Sequence, residues 1–199
     1  MSRAFHLSLA AIIATTPTIA SAQFSESYQF LKAVRDRDGN KATEILSKPG
    51  TIIIDTRDQA SGETALHIVT RGRDVLWMNF LLSRGAKPDT RDKAGETALM
   101  AAAQIGFIEG AQALIQYRAN VNLANASGET PLHRAVQRRD AAMVRFLMQS
   151  GANPARTDTL AGLSPRDYAA RDPRATAILK IIDDTKPAKP AGPIAGPKF

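Results

Sequence analysis

The chain has 199 residues, 44% of them hydrophobic, a formal charge of +7 and no cysteine. That length supports one domain with a real core. The absence of thiols excludes disulfides, cysteine-ligated zinc and cysteine nucleophiles, so stability has to come from packing.

Residues 1–22 read MSRAFHLSLAAIIATTPTIASA, with Arg3 at the start, an apolar run from Leu7 to Ala14, and small residues Ala20 and Ala22 ahead of Gln23. This is the layout of a cleavable export signal. The apolar run is too short to span a bilayer comfortably. The expectation is cleavage after Ala22 and a mature chain in the periplasm, or otherwise secreted, with no transmembrane anchor. The charge is less telling than its size suggests. Arg3 leaves with the leader, and Lys186, Lys189 and Lys198 sit in the acid-free segment 185–199. About +3 remains over the rest, which does not argue for nucleic acid.

Residues 23–184 are predicted to form one repeat domain. Its first unit, about 25–57, is divergent; Phe30, Leu31 and Val34 are expected to face inward from one helix, and Ile45 and Leu46 from the next. The units 58–90, 91–123 and 124–157 then open on Gly62-Glu63-Thr64-Ala65-Leu66-His67, Gly95-Glu96-Thr97-Ala98-Leu99-Met100 and Gly128-Glu129-Thr130-Pro131-Leu132-His133. Their glycines lie 33 residues apart, and Gly162 follows after 34. Thr64, Thr97, Thr130 and Ser164 fit helix N-caps, and Pro131 and Pro165 suit the first helical position. A short helix follows each cap. A heavier one comes next, at 75–83, 108–116, 142–150 and 175–183. Gly85 and Gly151 suit the left-handed residue past a helix end. Arg118 occupies that position in the third unit and is expected to cost about 1 kcal/mol there. No such helix pair buries its own apolar face, whereas stacked neighbours share a continuous core. Residues 158–184 are expected to cap the stack, with Leu163 and Arg166 at altered positions. The proline-rich basic tail 185–199 cannot continue the helices and is expected to be disordered.

These units resemble the ankyrin repeat. The resemblance is carried by the three G-E-T-A/P-L openings and by Gly85-Ala86-Lys87-Pro88-Asp89, Ala119-Asn120-Val121-Asn122 and Gly151-Ala152-Asn153-Pro154 at the unit ends. It implies an all-α solenoid of stacked helix-turn-helix repeats joined by short hairpin turns. It also implies that His67 and His133 tie their cap threonines to the adjacent turn backbone. Partners of such proteins meet the hairpin tips and the exposed side of each first helix. By alignment this implicates Gln59 and Lys93 at tips, and Arg71, Arg73, Gln104, Ile105, Gln137, Arg138, Arg139 and Arg171 at first-helix ends.

Positive charge at those ends in three of four units is expected to favour an acidic protein partner. Ile105 is an exposed apolar candidate, Phe80 is expected in the core, and Trp77 reads as packing more than ligand contact. Glu63, Glu96 and Glu129 form a repeating acidic series that balances neighbouring units. No H-E-x-x-H, G-x-S-x-G or P-loop pattern occurs, so no enzyme activity, metal, cofactor or small-molecule substrate is expected. The reading is a non-catalytic protein-protein interaction module. The alternatives are a structural or protective accessory of an envelope enzyme or stress response, and a secreted effector acting on foreign proteins.

Overall fold

The computed structural model describes residues 18–49 and 52–185. Most of the leader and residues 186–199 of the tail lie outside the described residues. The first helix, α1, spans Thr18–Arg35 and so begins ahead of both Ala22 and the expected start of the first unit. It pairs with α2, Gly39–Leu46. The pairs that follow are α3 (Ala65–Arg71) with α4 (Val75–Ser83), and α5 (Ala98–Ile105) with α6 (Ile108–Gln116). Then come α7 (Pro131–Gln137) with α8 (Ala141–Gln149), and α9 (Pro165–Arg171) with α10 (Thr176–Asp184). First helices pack on first helices in chain order, and α4, α6, α8 and α10 form a second layer behind them. The molecule is an all-α solenoid.

The core is the seam between these layers. Leu66, Leu99 and Leu132 recur at one position and are 2%, 1% and 0% exposed. Each contributes about 1.5–3 kcal/mol by leaving water. Ala98, Ala101, Ala102, Ala103 and Ala135 are buried between neighbouring first helices, where small side chains permit close approach. Phe30, Leu31, Val34 and Ile45 are buried as the first unit requires, with Leu46 half-buried. In the last unit the leucine position holds Arg166, which is exposed and makes a bidentate pair with Asp183 of α10 at 2.7 and 3.1 Å. A charge pair closes the end of the stack where a leucine would have needed another unit to cover it.

Two helix-start rules operate. Thr64, Thr97, Thr130 and Ser164 cap the first helices. Asp38, Asp74 and Asp140 cap α2, α4 and α8, accepting the amides of Lys41, Trp77 and Met143, while Phe107 starts α6 without a side-chain cap. The turns into α2, α4, α6 and α8 each contain a left-handed residue, Arg37, Arg73, Gly106 and Arg139, with φ of 58°, 53°, 65° and 57°, whereas α10 is entered through the turn Pro173–Ala175. Glycine bias had pointed only to the other end of the second helices. There Gly85 and Gly151 are left-handed, and Arg118 takes the same conformation at φ 66° despite its side chain.

Candidate partner-binding face

Each hairpin tip is organised by one acceptor side chain. Oδ1 of Asp58 accepts the amides of Ala60 and Ser61, Asp92 those of Ala94 and Glu96, and Asn125 those of Ser127 and Glu129. Oδ1 of Asp158 accepts the amides of Ala161 and Gly162. The tips are closed by Asp58, Asp92, Asn125 and Asp158 amides donating to the carbonyls of Glu63, Glu96, Glu129 and Leu163, at 2.8–3.0 Å. The Ser61 amide and the Arg35 guanidinium hold the Asp58 carboxyl at about 2. An Asp or Asn three or four positions before each repeat glycine was the available signal for these anchors. It explains the 34-residue spacing too, since the extra residue of the last unit lies between Asp158 and Gly162.

Successive tips are tied by backbone. The amides of Lys93, Ala126 and Thr159 donate to the carbonyls of Ser61, Ala94 and Ser127 at 3.1, 3.2 and 2.9 Å. This contact is what the repeated glycine serves. A Cβ on Gly62, Gly95 or Gly128 would stand 2.7, 2.8 or 2.9 Å from those same amide nitrogens, and all three glycines have φ of 76–77°. No L-residue meets both demands. Gly162, which no further tip follows among the described residues, has open space at that position.

The histidines provide a second tie. Nδ1 of His67 accepts the Thr64 amide at 3.2 Å and lies 2.9 Å from its hydroxyl, while Nε2 lies 3.0 Å from the Glu96 carbonyl of the next unit. His133 repeats this with Thr130 at 3.0 and 2.9 Å and with the Leu163 carbonyl at 3.2 Å. A carbonyl only accepts, so Nε2 carries the proton and Nδ1 is the acceptor: both rings are neutral. Burial pushes both below the ordinary histidine value. Each imidazole is consumed by its own cap and its neighbour's turn, with no lone pair left for a metal or a substrate proton. Met100 fills this position in the third unit, and in the last Asp167 completes a capping box with Ser164.

The charged side chains on the first-helix face form a chain. Arg71 reaches Glu63 at 2.6 Å and Glu96 at 3.7 Å; Arg134 reaches Glu96 at 2.5 Å and Glu129 at 3.0 Å; Gln137 donates to Glu129 at 2.8 Å. Glu96 is thus shared between arginines of the units on either side. Arg134 is the residue that sequence reasoning missed, because only its unit places arginine where the others hold Ile68, Ala101 and Tyr168. Tyr168 donates instead to Asp158 at 2.6 Å, which pushes its hydroxyl up to about 12.

The predicted arginine strip therefore divides. Arg71, Gln104, Gln137 and Arg171 occupy one exposed position on consecutive first helices, with Arg71 and Gln137 engaged as above. Arg73 is drawn toward the next unit, where it donates to the Ile105 carbonyl and lies 5.6 Å above the Phe107 ring. Arg139 likewise pairs with Asp172 at 2.6 Å. Arg138 is exposed and makes no ion pair among the described residues. Gln59 and Lys93 are exposed on adjacent tips, where Lys93 donates to the Gln59 carbonyl. Ile105 departs from expectation: it is half-buried against the core, because its helix ends there and turns it inward. Phe80, expected inside, is also only half-buried. Among the described residues no group of histidine and acidic side chains is placed to hold a metal ion, and no helix is long and apolar enough to cross a membrane.

Comparison with known proteins agrees with this geometry. Residues 76–158 match the family model described as ankyrin repeats, in three copies. An ankyrin repeat-containing protein of Treponema pallidum is 40% identical over 112 residues, covering 55% of this chain and 37% of that protein. The human ankyrin repeat and SOCS box protein 6 is 29% identical over 66% of this chain and 32% of its own length. Human ankyrin repeat domain-containing protein 63 is 27% identical over 85% and 50%. The chain thus spans half or less of the length of these relatives. The match includes the tips at Asp92 and Asn125, the cap tie at His133 and the buried Leu99 and Leu132, and over residues 76–158 the chain is similar to ankyrin repeats.

Proposed function

We propose that this chain is a non-catalytic protein-binding module acting outside the cytoplasm, in the periplasm or secreted, and that it grips a protein partner across its tips and first-helix face. The observation that carries the reading is the file of exposed Arg71, Gln104, Gln137 and Arg171 on consecutive first helices, held on a backbone pinned tip to tip. A surface already fixed loses little freedom on binding. The histidines and carboxylates that chemistry would need are committed to caps and ion pairs. The extracytoplasmic location is supported by the leader pattern of residues 1–22. Preference for an acidic partner rests on Arg138 and Arg171, since Arg71, Arg73 and Arg139 are engaged within the chain.

The test is mild cross-linking of the full chain in its native cells, followed by fractionation and comparison with Gln104→Glu/Arg138→Glu. Both substitutions fall on exposed side chains and leave the fold intact. The expected result is a stoichiometric partner in the extracytoplasmic fraction that the double variant loses. Recovery unchanged by the substitutions overturns the proposed face, and a chain that retains Met1 inside the cell overturns the location.

A further inference from the structure

The second-helix layer has one anomalous member. In α6, α8 and α10 the large exposed side chains are polar, as in Glu109, Gln112 and Gln116, Arg145 and Gln149, and Lys180 and Asp183, and the exposed apolar residues are the small Ala142 and Ala177. In α4, VLWMNFLLS, the only polar residues are Asn79 and Ser83, and Leu76 is 78% exposed where the two following units hold Glu109 and Ala142. Asn79 and Ser83 keep part of the outer side of α4 polar, while Leu76, Trp77 and Phe80 make the rest of its accessible surface apolar. α4 packs mainly on α3 and α6, with at most slight contact to α2. Its Trp77 and Phe80 are half-buried, in edge-to-face contact with centroids 5.5 Å apart. Beside them, Trp77 and Asp74 help line a cavity of about 300 Å³ between the first and second units.

The border of this patch is charged. Arg84 lies 5.0 Å above the Phe80 ring and has no carboxylate partner among the described residues. Arg37 is 64% exposed and pairs with Asp74 at 3.2 Å. We propose that the outer face of α4 is a second docking surface, distinct from the tips and first helices. It takes a short amphipathic segment of another protein in which a leucine-type apolar stripe is flanked by acidic residues. The stripe covers Leu76 and Trp77 and enters the cavity, and its carboxylates meet Arg84 and Arg37, whose guanidinium donors are left over. Desolvated apolar anchors surrounded by cations suit this composition and disfavour a basic one.

Trp77 is the chain's single tryptophan, so its fluorescence reads this surface alone. The probe is a synthetic 14-residue helical peptide with leucines at helical spacing and glutamates at both ends. Controls carry lysine for glutamate, or serine for leucine. Titrated into the full chain, the glutamate–leucine peptide is expected to shift Trp77 emission saturably. Leu76→Asp and the lysine control should each weaken it at least tenfold, and Gln104→Glu/Arg138→Glu should leave it unchanged. Arg84→Glu provides an independent arm, weakening the acidic peptide and strengthening the basic one. The absence of a saturable shift, equal affinity for acidic and basic peptides, or an emission shift produced by raising the protein concentration alone overturns the proposal. The last outcome would make a second copy of the chain the occupant.

Discussion

Replacing His133 by methionine isolates the worth of one tie between units. The substitution reproduces what the third unit does naturally, where Met100 is 1% exposed, so the side chain fits. It removes the acceptor of the Thr130 amide at 3.0 Å and the donor to the Leu163 carbonyl at 3.2 Å. Each lost bond costs about 1 kcal/mol net, and a buried group left unpaired up to about 3. Burying the apolar methionine offsets on the order of 1 kcal/mol. The expected net loss is about 2–3 kcal/mol. In urea denaturation the midpoint should fall with the slope unchanged. In hydrogen exchange the loss of protection should concentrate in α9 and α10, because units of a solenoid are coupled to nearest neighbours. A loss below about 0.5 kcal/mol, within the range of ordinary surface substitutions, or one spread evenly to α1 and α2, would refute the reasoning.

Acid should weaken the stack. His67 and His133 are neutral and depressed when folded but take up protons near 6.5 when unfolded, so stability is full above that value and declines as pH falls through it. Stability measured between pH 8 and 5 should therefore drop more steeply in the native chain than in a His67→Met/His133→Met variant. Base acts through Tyr168, whose folded value near 12 exceeds the ordinary 10, so its contribution is complete below 10 and vanishes as pH rises through 12. Tyr168→Phe should flatten the alkaline stability profile and remove a phenol that titrates near 12 in absorbance. Arg118→Gly should raise stability by up to about 1 kcal/mol, since it relieves a left-handed backbone that costs a side-chain-bearing residue energy; thermal melting decides, and a fall would contradict the strain. Gly72→Ala should stabilise by about 0.4–1 kcal/mol because its φ of −77° is helical and an added Cβ meets neighbours no closer than 3.5 Å.

The stack was legible because repetition samples the same physics several times. Caps at Thr64, Thr97, Thr130 and Ser164 and buried leucines at 66, 99 and 132 depend on nearby chain, which sequence spacing reports directly. What escaped depends on which unit lies next door. Arg134 finds Glu96 only when two units are stacked, and Arg73 is drawn to the Ile105 carbonyl by a turn 32 positions on. Charge counted along the sequence made the strip look uniformly positive, whereas in space Glu63 and Glu96 pair with Arg71 and Asp172 pairs with Arg139. Left-handed Arg37, Arg73 and Arg139 were hidden because glycine bias signals such turns and arginine does not. Ile105 looked exposed by its alignment with the other first-helix ends, but its helix ends at that residue and it is packed against the core.

The central claim is that neighbouring units are knitted tip to tip, which makes a rigid recognition face from loops. Amide hydrogen exchange at Lys93, Ala126 and Thr159 addresses it directly. These residues sit at loop tips where amides ordinarily exchange at nearly unprotected rates, and the account predicts protection approaching that of the adjoining helices. Exchange of all three at free-peptide rates would contradict it.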